Sequence, residues 1–578
     1  MTQIIDFNLD SIHEQGLFSS LDYFFAKSVS KTFNEKNAIV QVSVALASKA
    51  LSQGHICLDL KEITGESAND NANRVDFFDI PVHVPTLKNW IFALTRSPLV
   101  SDTIQTPLVL DSDNRLYLSK YFDFQSRLIQ NIVSRLPIKT RKGKTEKNQS
   151  EKKVEPCINK LIDTFFDSCD SNTIGQQKAV KHAVLKPLTI ISGGPGTGKT
   201  YVSGLIKKIL VSWALQNQMP EPRIISVAPT GKAASKMANG KTIHSVLRPL
   251  KNKPGFFYCK KNPLIVDIVI IDEASMIDIV LLTRLMEAIP ITAKIIILGD
   301  THQLSSIQAG SVFNDICSAK PLSSCVFFLD YNFRSKGKTG IEKLSKAINE
   351  NDVYQIEQVL TGKEYTDIVF EDLSKKDFQS VVYSYIKEGY HSLSKAGTIE
   401  KILIGLDDFR ILCAHNSGEY GTLSINHLCE NILRSQQNFD IPQRLLKQII
   451  MVTVNDYKKG LFNGDTGIVI RKDKECRAVF KDQDEKIKEY RIADLPGHVP
   501  AFAITIHKSQ GSEFKTVLII IPDHLSSVLT RQLLYTGITR AKTKVIITGR
   551  LDIIKQAVSL SINRTSGLTK GLEMAMAP

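Results

Sequence analysis

Short apolar runs rich in Val and Ile recur along the chain from residue 188 onward. Each run ends in a polar turn and is followed by a segment with helical periodicity. This alternation is typical of a parallel sheet that helices cover on both faces. The first group of predicted strands comprises residues 188–192, 223–229, 265–272, 293–300 and 325–329.

A second group of such strands follows at residues 409–414, 501–506, 516–521 and 544–549. Two groups predict two α/β domains in tandem. Within the second group, apolar and polar positions alternate on both sides of an Asn463-Gly464 turn, a pattern that favours a hairpin. The sequence therefore predicts a small β module, around residues 455–495, inserted into the second domain.

The first 138 residues show a different pattern, rich in predicted helix and without a motif that indicates chemistry. A small hairpin is predicted around Asp113-Asn114. Residues 139–153 carry seven Lys or Arg against two Glu and no apolar periodicity, which favours a solvated linker. The predicted division is an N-terminal partner-binding domain at 1–138, a basic linker at 139–158, and α/β domains at 159–335 and 336–578.

Charge and cysteine usage narrow the class of protein. The formal net charge of the 578 residues is +14, which favours a polyanionic partner. The nine cysteines include no C-x-x-C pair, which argues against a zinc site, an iron–sulfur cluster or a disulfide framework. Neither an apolar run long enough to cross a membrane nor a signal peptide is expected, so the sequence indicates a cytoplasmic protein.

The strongest local signal is a phosphate-binding loop between a predicted strand and a predicted helix. Backbone N–H groups of such a loop surround phosphates, and the helix N-terminus adds its positive dipole end. We expect Lys199 to reach the β- and γ-phosphates and the Thr200 hydroxyl to bind Mg²⁺. The loop has the pattern G-x-x-x-x-G-K-[ST] and consists of Gly193, Gly194, Pro195, Gly196, Thr197, Gly198, Lys199 and Thr200.

A carboxylate pair follows another apolar strand, about 70 residues further on. We expect Asp272 to hold the Mg²⁺ shell and Glu273 to orient the attacking water. A pair of this kind can also be a helix cap, but its spacing from the loop favours catalysis. These two motifs together predict an ATP- and Mg²⁺-dependent nucleotide hydrolase.

Three further side chains lie just beyond predicted strands or at strand–helix junctions. Gln303 is placed to sense the γ-phosphate, and Arg334 is a candidate arginine finger. Arg540 lies at a later junction. Each is weak evidence alone, whereas their order along the chain is specific.

The ordered motifs resemble those of superfamily 1 DNA helicases with two RecA-like domains, and most closely the RecD family of bacterial RecBCD (exonuclease V) alpha subunits. This resemblance implies that Gln177, with Gln176 as the second choice, recognises adenine, and that Gly511 and Glu513 line the nucleotide. Positions matching single-strand contacts are Thr230, Lys232, His244, Thr505 and His507. The motifs are GGPGTGKT, APTGKAA, KTIH, DEAS, GDTHQL, NFRS, HKSQGSEF and LYTGITRAK.

The resemblance implies an ATP-dependent 5′→3′ DNA helicase subunit that processes double-strand DNA ends for recombinational repair with RecB-like and RecC-like subunits. It implies a cytoplasmic, nucleoid-associated protein and exonuclease activity only in the complex. Two alternatives are an independent superfamily 1 helicase and an assembly subunit whose nucleotide site is purely structural. The presence of Lys199, Asp272, Glu273 and Arg540 together argues against the last.

Overall fold

The structure is a computed structural model. The predicted basic linker at 139–158 lies outside the described residues, apart from positions 156 and 158. Within the described part of the chain, no helix is long and apolar enough to span a bilayer. The structure describes residues 5–65, 82–136, 156, 158–166, 171–306, 308–334, 339–391, 398–435, 448–456, 458–472, 475–482 and 486–577.

The N-terminal module is mainly helical and carries a small sheet with strand order β1-β4-β3-β2. Its helices start at polar caps; Ser19 and Asp22, for example, form a reciprocal capping box. The helices are α1 (Leu9–Glu14), α2 (Ser20–Thr32), α3 (Ala38–Ser52), α4 (Leu60–Thr64), α5 (Leu87–Thr95) and α6 (Ser119–Val133). The strands are β1 (Leu58–Asp59), β2 (Val100–Ser101), β3 (Leu108–Leu110) and β4 (Arg115–Leu118).

The predicted hairpin joins the antiparallel strands β3 and β4. Its turn places Asn114 at φ +66°, a left-handed conformation that Asn adopts more readily than most residues. The helical character of the module and its hairpin are therefore both confirmed.

The first α/β domain contains a six-stranded parallel sheet, in the order β10-β5-β9-β8-β6-β7. Strands covered on both faces are apolar throughout, and every residue of β8 is buried. The strands are β5 (Leu188–Gly193), β6 (Ile224–Ala228), β7 (Gly240–Thr242), β8 (Ile268–Ile271), β9 (Lys294–Gly299) and β10 (Val326–Leu329). The helices are α7 (Ile174–Leu185), α8 (Lys199–Gln216), α9 (Gly231–Ser235), α10 (Ile243–Leu247), α11 (Ile279–Ala288) and α12 (Val312–Ser318).

The second α/β domain contains a five-stranded parallel sheet and an inserted antiparallel sheet. The chain forms the strands β11 (Ile368–Asp372), β12 (Phe409–Cys413), β13 (Gln448–Val452), β14 (Thr466–Lys472), β15 (Glu475–Lys481), β16 (Ile487–Arg491), β17 (His498–Pro500), β18 (Ala503–Thr505), β19 (Phe514–Ile520) and β20 (Ala541–Gly549). The helices are α13 (Gly340–Glu350), α14 (Val353–Thr361), α15 (Phe378–Gly389), α16 (Ile399–Gly405), α17 (Thr422–Ser435), α18 (Arg531–Ile538), α19 (Leu551–Ser559) and α20 (Leu568–Ala575).

The parallel sheet has the order β11-β20-β19-β12-β18, and the inserted sheet has the order β16-β15-β14-β13-β17. Strands β13 and β17 lie outside the range 455–495, so the inserted sheet is wider than that range. The predicted fold class, two tandem RecA-like α/β domains with a small inserted β module behind a helical N-terminal domain, is confirmed. The edge strands β7 and β11 were not predicted.

Helix α6 fixes the N-terminal module to the first α/β domain. Leu128 of α6 is fully buried in a core that also contains Leu285 of α11 and Leu568 of α20. Arg135, just beyond α6, is 4% exposed and donates hydrogen bonds to the carbonyl oxygens of Ile289, Pro290 and Ala293. We call this shared interface the seam.

Candidate active site

A cavity of about 430 Å³, which we call the cleft, separates the two α/β domains. Its walls come from the ends of β5 and β8 on one side and from β19 and β20 on the other. The cleft is lined by Gly194, Pro195, Gly196, Gly198, Lys199, Thr200, Lys232, Ala233, Lys236, Asp272, Glu273, Gln303, Arg334, Asp407, Glu513, Arg540 and Lys542.

The predicted phosphate-binding loop connects β5 to the N-terminus of α8. Gly196 and Gly198 have φ values of +84° and +88°, so both positions favour glycine. A side chain at Gly196 would also collide with Asn332. The ammonium group of Lys199 donates to the carbonyl oxygen of Gly194 at 3.0 Å and also to that of Gly193. The loop backbone therefore surrounds the ammonium group of Lys199 at the N-terminus of α8, and this arrangement binds phosphate groups.

The structure distinguishes the two candidate glutamines on α7. Gln176 is 4% exposed, and its Nε2 donates to the carbonyl oxygen of Thr197 at 2.9 Å. Gln177 instead donates to Thr173 Oγ1, at 3.1 Å, within its own helix start. Of the two glutamines, Gln176 contacts the phosphate-binding loop. Gln176, the second choice for the adenine-recognition residue, therefore lies closer to the nucleotide site than Gln177 does.

The carboxylate pair lies directly beyond β8. Asp272 Oδ1 accepts a hydrogen bond from the backbone of Glu273 at 2.8 Å. Glu273 has φ +52°, a left-handed conformation that is rare for residues other than glycine and costs about 1–3 kcal/mol. Burial and the neighbouring Glu273 raise the pKa of Asp272 to about 6, while Lys199 opposes the shift.

The oxygen atoms in this part of the cleft suit a magnesium ion. Asp272 offers a carboxylate and Thr200 a hydroxyl, and Mg²⁺ uses one or two protein oxygens together with phosphate and water. Among the described residues, no group of three or more His, Cys, Asp or Glu side chains forms a metal cluster. A cation bound with the nucleotide fits this donor set better than a protein-only cage.

Gln303 lies in the loop after β9, where the two domains meet. Its Nε2 donates to Asp300 Oδ2 at 3.0 Å, and the hydroxyl of Tyr535 on α18 donates to the same oxygen at 3.1 Å. The backbone N–H of Leu304 donates to Thr536 Oγ1 at 3.0 Å. The loop that carries the predicted γ-phosphate sensor is therefore bonded to the second domain.

Arg334 and Arg540 approach the cleft from opposite sides. Arg334 Nη2 lies 2.8 Å from Glu513 Oε2, and Lys542 Nζ lies 3.9 Å from the same oxygen. Arg540 is 2% exposed and donates to the carbonyl oxygens of Ser512 and Thr536 at 3.1 and 3.2 Å. Burial acts to raise the pKa of Glu513, but the surrounding cations, including Lys236, lower it below its usual range.

Gly511, which was predicted to line the nucleotide, occupies a different position. It has φ +71° and lies beside Thr230 and Ala233 at the start of α9. It is not among the described residues that line the cleft. Its conformational freedom serves the turn that brings β19 against α9.

The predicted DNA contacts fall into separate places. Lys232 lines the cleft, where burial lowers its pKa to about 8 and its ammonium group lies 5.5 Å from the centre of the Phe514 ring. Thr230 caps α9 through its Oγ1. His244 is exposed on α10. Thr505 lines a second cavity of about 410 Å³ beside β18, and His507 is half-buried two residues further on.

Comparison with known proteins places these motifs in a family. The RecBCD enzyme subunit RecD of Mycolicibacterium smegmatis is 30% identical over 578 residues, covering 96% of this chain and 97% of the relative. The chain belongs to the RecD family. The family model of the N-terminal domain of RecBCD enzyme subunit RecD matches residues 14–117, an AAA domain model matches 176–309, and a UvrD-like helicase C-terminal domain model matches 500–548.

Other proteins are similar to this chain at lower identity or over a smaller share of its length. The RecBCD enzyme subunit RecD of Haemophilus influenzae is 26% identical over 98% of this chain and 99% of its own. The ATP-dependent RecD2 DNA helicase of Deinococcus radiodurans is 27% identical over 63% of this chain and 47% of its own. Among solved structures, a Bacteroides Pif1 helicase bound to ADP-AlF3 and ssDNA matches 72% of this chain and 96% of its own, with 19% identity and a TM-score of 0.39.

Several cleft residues of this RecD-family chain were missed by the sequence analysis. Lys236 and Asp407 both line the cleft, as does Lys542, whose place beside Arg540 at a junction was noted in the sequence. A signal for Lys236 exists, because it follows Lys232 by four residues and α9 brings such positions to one face. Asp407 precedes a strand of the other domain, and nothing local marks it.

A basic hairpin of residues 248–262 was also missed. Pro249 pairs with Phe256, and Phe257 is 49% exposed. His244 lies beside it, with 5.8 Å between the ring centres of His244 and Phe256. The hairpin contains no acidic residue, and its exposed cations are Arg248, Lys251, Lys253, Lys260 and Lys261.

Proposed function

We propose that this chain is the ATP-dependent 5′→3′ DNA helicase subunit of a RecBCD-type helicase and nuclease. The observation that carries the proposal is the composition of the cleft. One domain supplies the phosphate-binding loop with Asp272 and Glu273, and the other supplies Arg540 and Glu513. A nucleotide between them contacts both domains, so its hydrolysis changes how the domains are held together.

The residues divide the work of hydrolysis between them. The backbone of Gly194–Thr200 and the ammonium of Lys199 bind the phosphates, and Gln176 supports the loop from behind. Thr200 and Asp272 would hold Mg²⁺, and the ion would supply charge neutralisation at the transferred phosphoryl group. Glu273 orients the attacking water and accepts its proton. Gln303, Arg334 and Arg540 stabilise charge that develops on the γ-phosphate.

The nucleic acid binds along the faces that carry His244 and Thr505. The basic hairpin at 248–262 supports this path, because it presents five cations and an exposed aromatic ring beside His244. Phosphate contacts and base stacking are tolerant of sequence and weaken with salt. We infer that the chain binds single-stranded DNA without sequence specificity.

The N-terminal module is the proposed binding site for a partner subunit. Leu21 and Phe24 lie one turn apart on α2 and are 73% and 64% exposed. Exposed apolar pairs of this size favour a protein contact in an assembly with RecB-like and RecC-like subunits. The assembly acts on double-strand ends in recombinational repair. Its exonuclease activity belongs to the complex, which we place in the cytoplasm with the nucleoid.

The first experiment is ATP hydrolysis by the purified chain, with and without single-stranded DNA, beside the variant Lys199→Gln. We expect strong stimulation by DNA that Lys199→Gln abolishes, because the phosphates lose their main cation. Lys208→Gln is a matched control, since Lys208 is exposed on the same helix and does not line the cleft. Hydrolysis that is indifferent to DNA, or equal in the Lys199 variant, contradicts the proposal.

An independent helicase is the second candidate function. The match of the Deinococcus RecD2 helicase to 63% of this chain supports it, whereas the N-terminal family match at 14–117 supports a subunit. Unwinding of duplexes with a 5′ or a 3′ tail, by the chain alone and with partner subunits, separates the two. Unwinding by the chain alone at the rate of the full complex supports the independent helicase.

A further inference from the structure

Residues 564–575, which we call the strap, return from the second α/β domain to the seam. The chain leaves α19 at Ser559, and α20 then packs against α6 and α12. Leu568 and Leu572 of α20 are fully buried in the core of the seam. The second domain therefore contacts the first domain at the seam as well as at the cleft.

The strap bonds to the N-terminal module and to the first domain. The carbonyl oxygen of Thr565 accepts from the backbone of Ile56 at 2.9 Å, and the N–H of Thr565 donates to His55 Nδ1 at 3.0 Å. Ser566 Oγ donates to Asp315 of α12 at 2.7 Å. Backbone and side-chain bonds together fix where the strap begins.

Arg564, the first residue of the strap, lies where three parts of the molecule meet. Its Nη1 donates to the carbonyl oxygens of Gln308 and Gly310, at 2.7 and 3.2 Å. A side chain at Gly54 of the N-terminal module would lie 2.8 Å from Arg564 Cζ, so the guanidinium packs on that backbone. Gly310 in turn donates to the carbonyl oxygen of Gly54 at 2.8 Å.

Gln308 and Gly310 lie at the end of the loop that follows β9 and carries Gln303 into the cleft. We call residues 300–310 the sensor loop; position 307 lies outside the described residues. One end of this loop holds Gln303 in the cleft and bonds to α18 through Leu304. The other end of the loop, only a few residues further along the chain, forms hydrogen bonds with Arg564 and Gly54. Because hydrogen bonds hold both ends of this loop, we expect a displacement of the strap or of the N-terminal module to reach Gln303.

The guanidinium of Arg564 also acts on a predicted DNA contact. Burial lowers the pKa of His507, and the charge of Arg564 lowers it further. His507 follows β18 in the second domain. Gln510, three residues beyond His507, donates from Nε2 to the carbonyl oxygen of Leu304 at 3.0 Å, so this segment is hydrogen-bonded to the sensor loop that Arg564 holds.

We propose that Arg564 is a positioning residue that holds the end of the sensor loop at Gln308 and Gly310. Through this loop it couples the N-terminal module, and the segment with the predicted DNA contacts Thr505 and His507, to ATP hydrolysis. The inference rests on the proposed helicase function. Arg564 does not line the cleft, so it acts through Gln303 and not on the nucleotide. A subunit bound to the N-terminal module would use the same contact to adjust the motor.

The test compares Arg564→Gln with the wild type in ATP hydrolysis across a titration of single-stranded DNA. We expect the basal rate to stay within about twofold and the stimulation by DNA to fall about tenfold, which is about 1.4 kcal/mol of coupling. Arg550→Gln is the matched control, because Arg550 is exposed and pairs with Asp552 outside the cleft. Stimulation of Arg564→Gln equal to that of the wild type overturns the proposal.

A second variant disturbs the same contact from the other side. Gly54→Ala adds a side chain against the guanidinium at φ +91°, so we expect a similar loss of stimulation. Because both changes act on one contact, the double variant should lose no more than the larger single loss. Fully additive losses contradict a shared contact. If Arg564→Gln lowers Tm by more than about 5 °C, Arg564→Lys replaces it, and its retained cation should restore most of the stimulation.

Hydrogen exchange separates this inference from the proposed function. Amide exchange of residues 300–310 should be faster in Arg564→Gln than in the wild type, whether or not DNA stimulates hydrolysis. Unchanged exchange overturns the positioning role. A wild-type chain without DNA stimulation, but with faster loop exchange in the variant, contradicts the helicase function and leaves the positioning of the loop supported.

Discussion

The first α/β domain has two interfaces of opposite character. At the seam it shares one apolar core with α6 and α20, and the buried side chains there include Leu128, Leu285 and Leu568. At the cleft it faces the second domain across charged groups, with Asp272 and Glu273 opposite Arg540. An apolar core cannot be opened without exposing its surface to water, whereas a polar cleft can exchange its contacts for water or phosphate.

This difference indicates which parts of the molecule move together. The N-terminal module and the first α/β domain are expected to move as one body, because they share one continuous cluster of buried apolar residues. We expect the second domain to move against that body, with the strap limiting the size of the movement. Cleft variants should therefore change rates more than stability, and seam variants should do the reverse.

The largest expected effect is at the cleft, in Arg540→Lys. Lysine keeps the charge but loses the planar fork, so the two backbone bonds of Arg540 and its reach to the γ-phosphate cannot both be kept. We expect kcat for DNA-stimulated ATP hydrolysis to fall on the order of a thousandfold. Arg550→Lys is the matched control; Arg550 pairs with Asp552 outside the cleft, and kcat of this variant should stay within about threefold. Equal losses in the two variants would contradict the assignment.

At the seam, Leu128→Ala should lower the free energy of unfolding by about 2–5 kcal/mol while leaving kcat nearly unchanged. Urea unfolding followed by fluorescence can localise the loss, since the two tryptophans are Trp90 in the N-terminal module and Trp213 in the first domain. Both signals should shift together. Leu344→Ala, in the core of the second domain, is the comparison. Separate transitions for Trp90 and Trp213 would show that the seam is not one core.

A smaller effect is expected for Arg127→Ala. Arg127 Nη1 lies 2.7 Å from Glu287 Oε1 across the seam, and the two side chains are 28% and 6% exposed. Partial exposure weakens the pair, although Glu287 would be left without this partner. We expect a loss of about 1 kcal/mol in urea unfolding. A loss as large as that of Leu128→Ala would mean that charge pairing, rather than apolar packing, stabilises the seam.

The smallest effect concerns pH and the strap. Burial raises the pKa of Asp315 to about 6, and the hydrogen bond from Ser566 opposes the shift. The folded state therefore keeps this proton at pH values where the unfolded state has lost it, so the contribution to stability is lost as pH rises from about 4 to about 6. Asp315→Asn should raise Tm relative to the wild type by roughly 1–3 °C at pH 7.5 and by less at pH 5. A gain that is equal at both pH values contradicts the shift.

Local motifs explain why much of the site was predictable from the sequence. The phosphate-binding loop and the Asp272-Glu273 pair each follow a largely buried strand, and a parallel sheet brings the ends of β5 and β8 to one edge. The nine predicted strands are present for the same reason. Their apolar runs are long and bounded by turns. The edge strands β7 and β11 were missed because they are short or only partly buried.

The remaining residues depend on tertiary contacts that no local pattern records. Gln176 and Gln177 are adjacent, and only the packing of α7 against the loop decides which side chain reaches Thr197. Lys232 matched a DNA-contact position but points into the cleft, because the turn at Gly511 brings the second domain onto α9. The packing of the strap could not be predicted from hydrophobic periodicity, because the residues that it contacts lie hundreds of positions earlier in the chain.

That distance along the chain has a consequence during protein synthesis. Gly567 bonds to Gln125 across a separation of 442 residues, and the neighbouring α20 completes the core around α6. At about 5–20 residues per second, the ribosome needs on the order of half a minute or more to supply that helix after α6 emerges. Throughout this interval the apolar surface that α20 later covers has no contact from that helix.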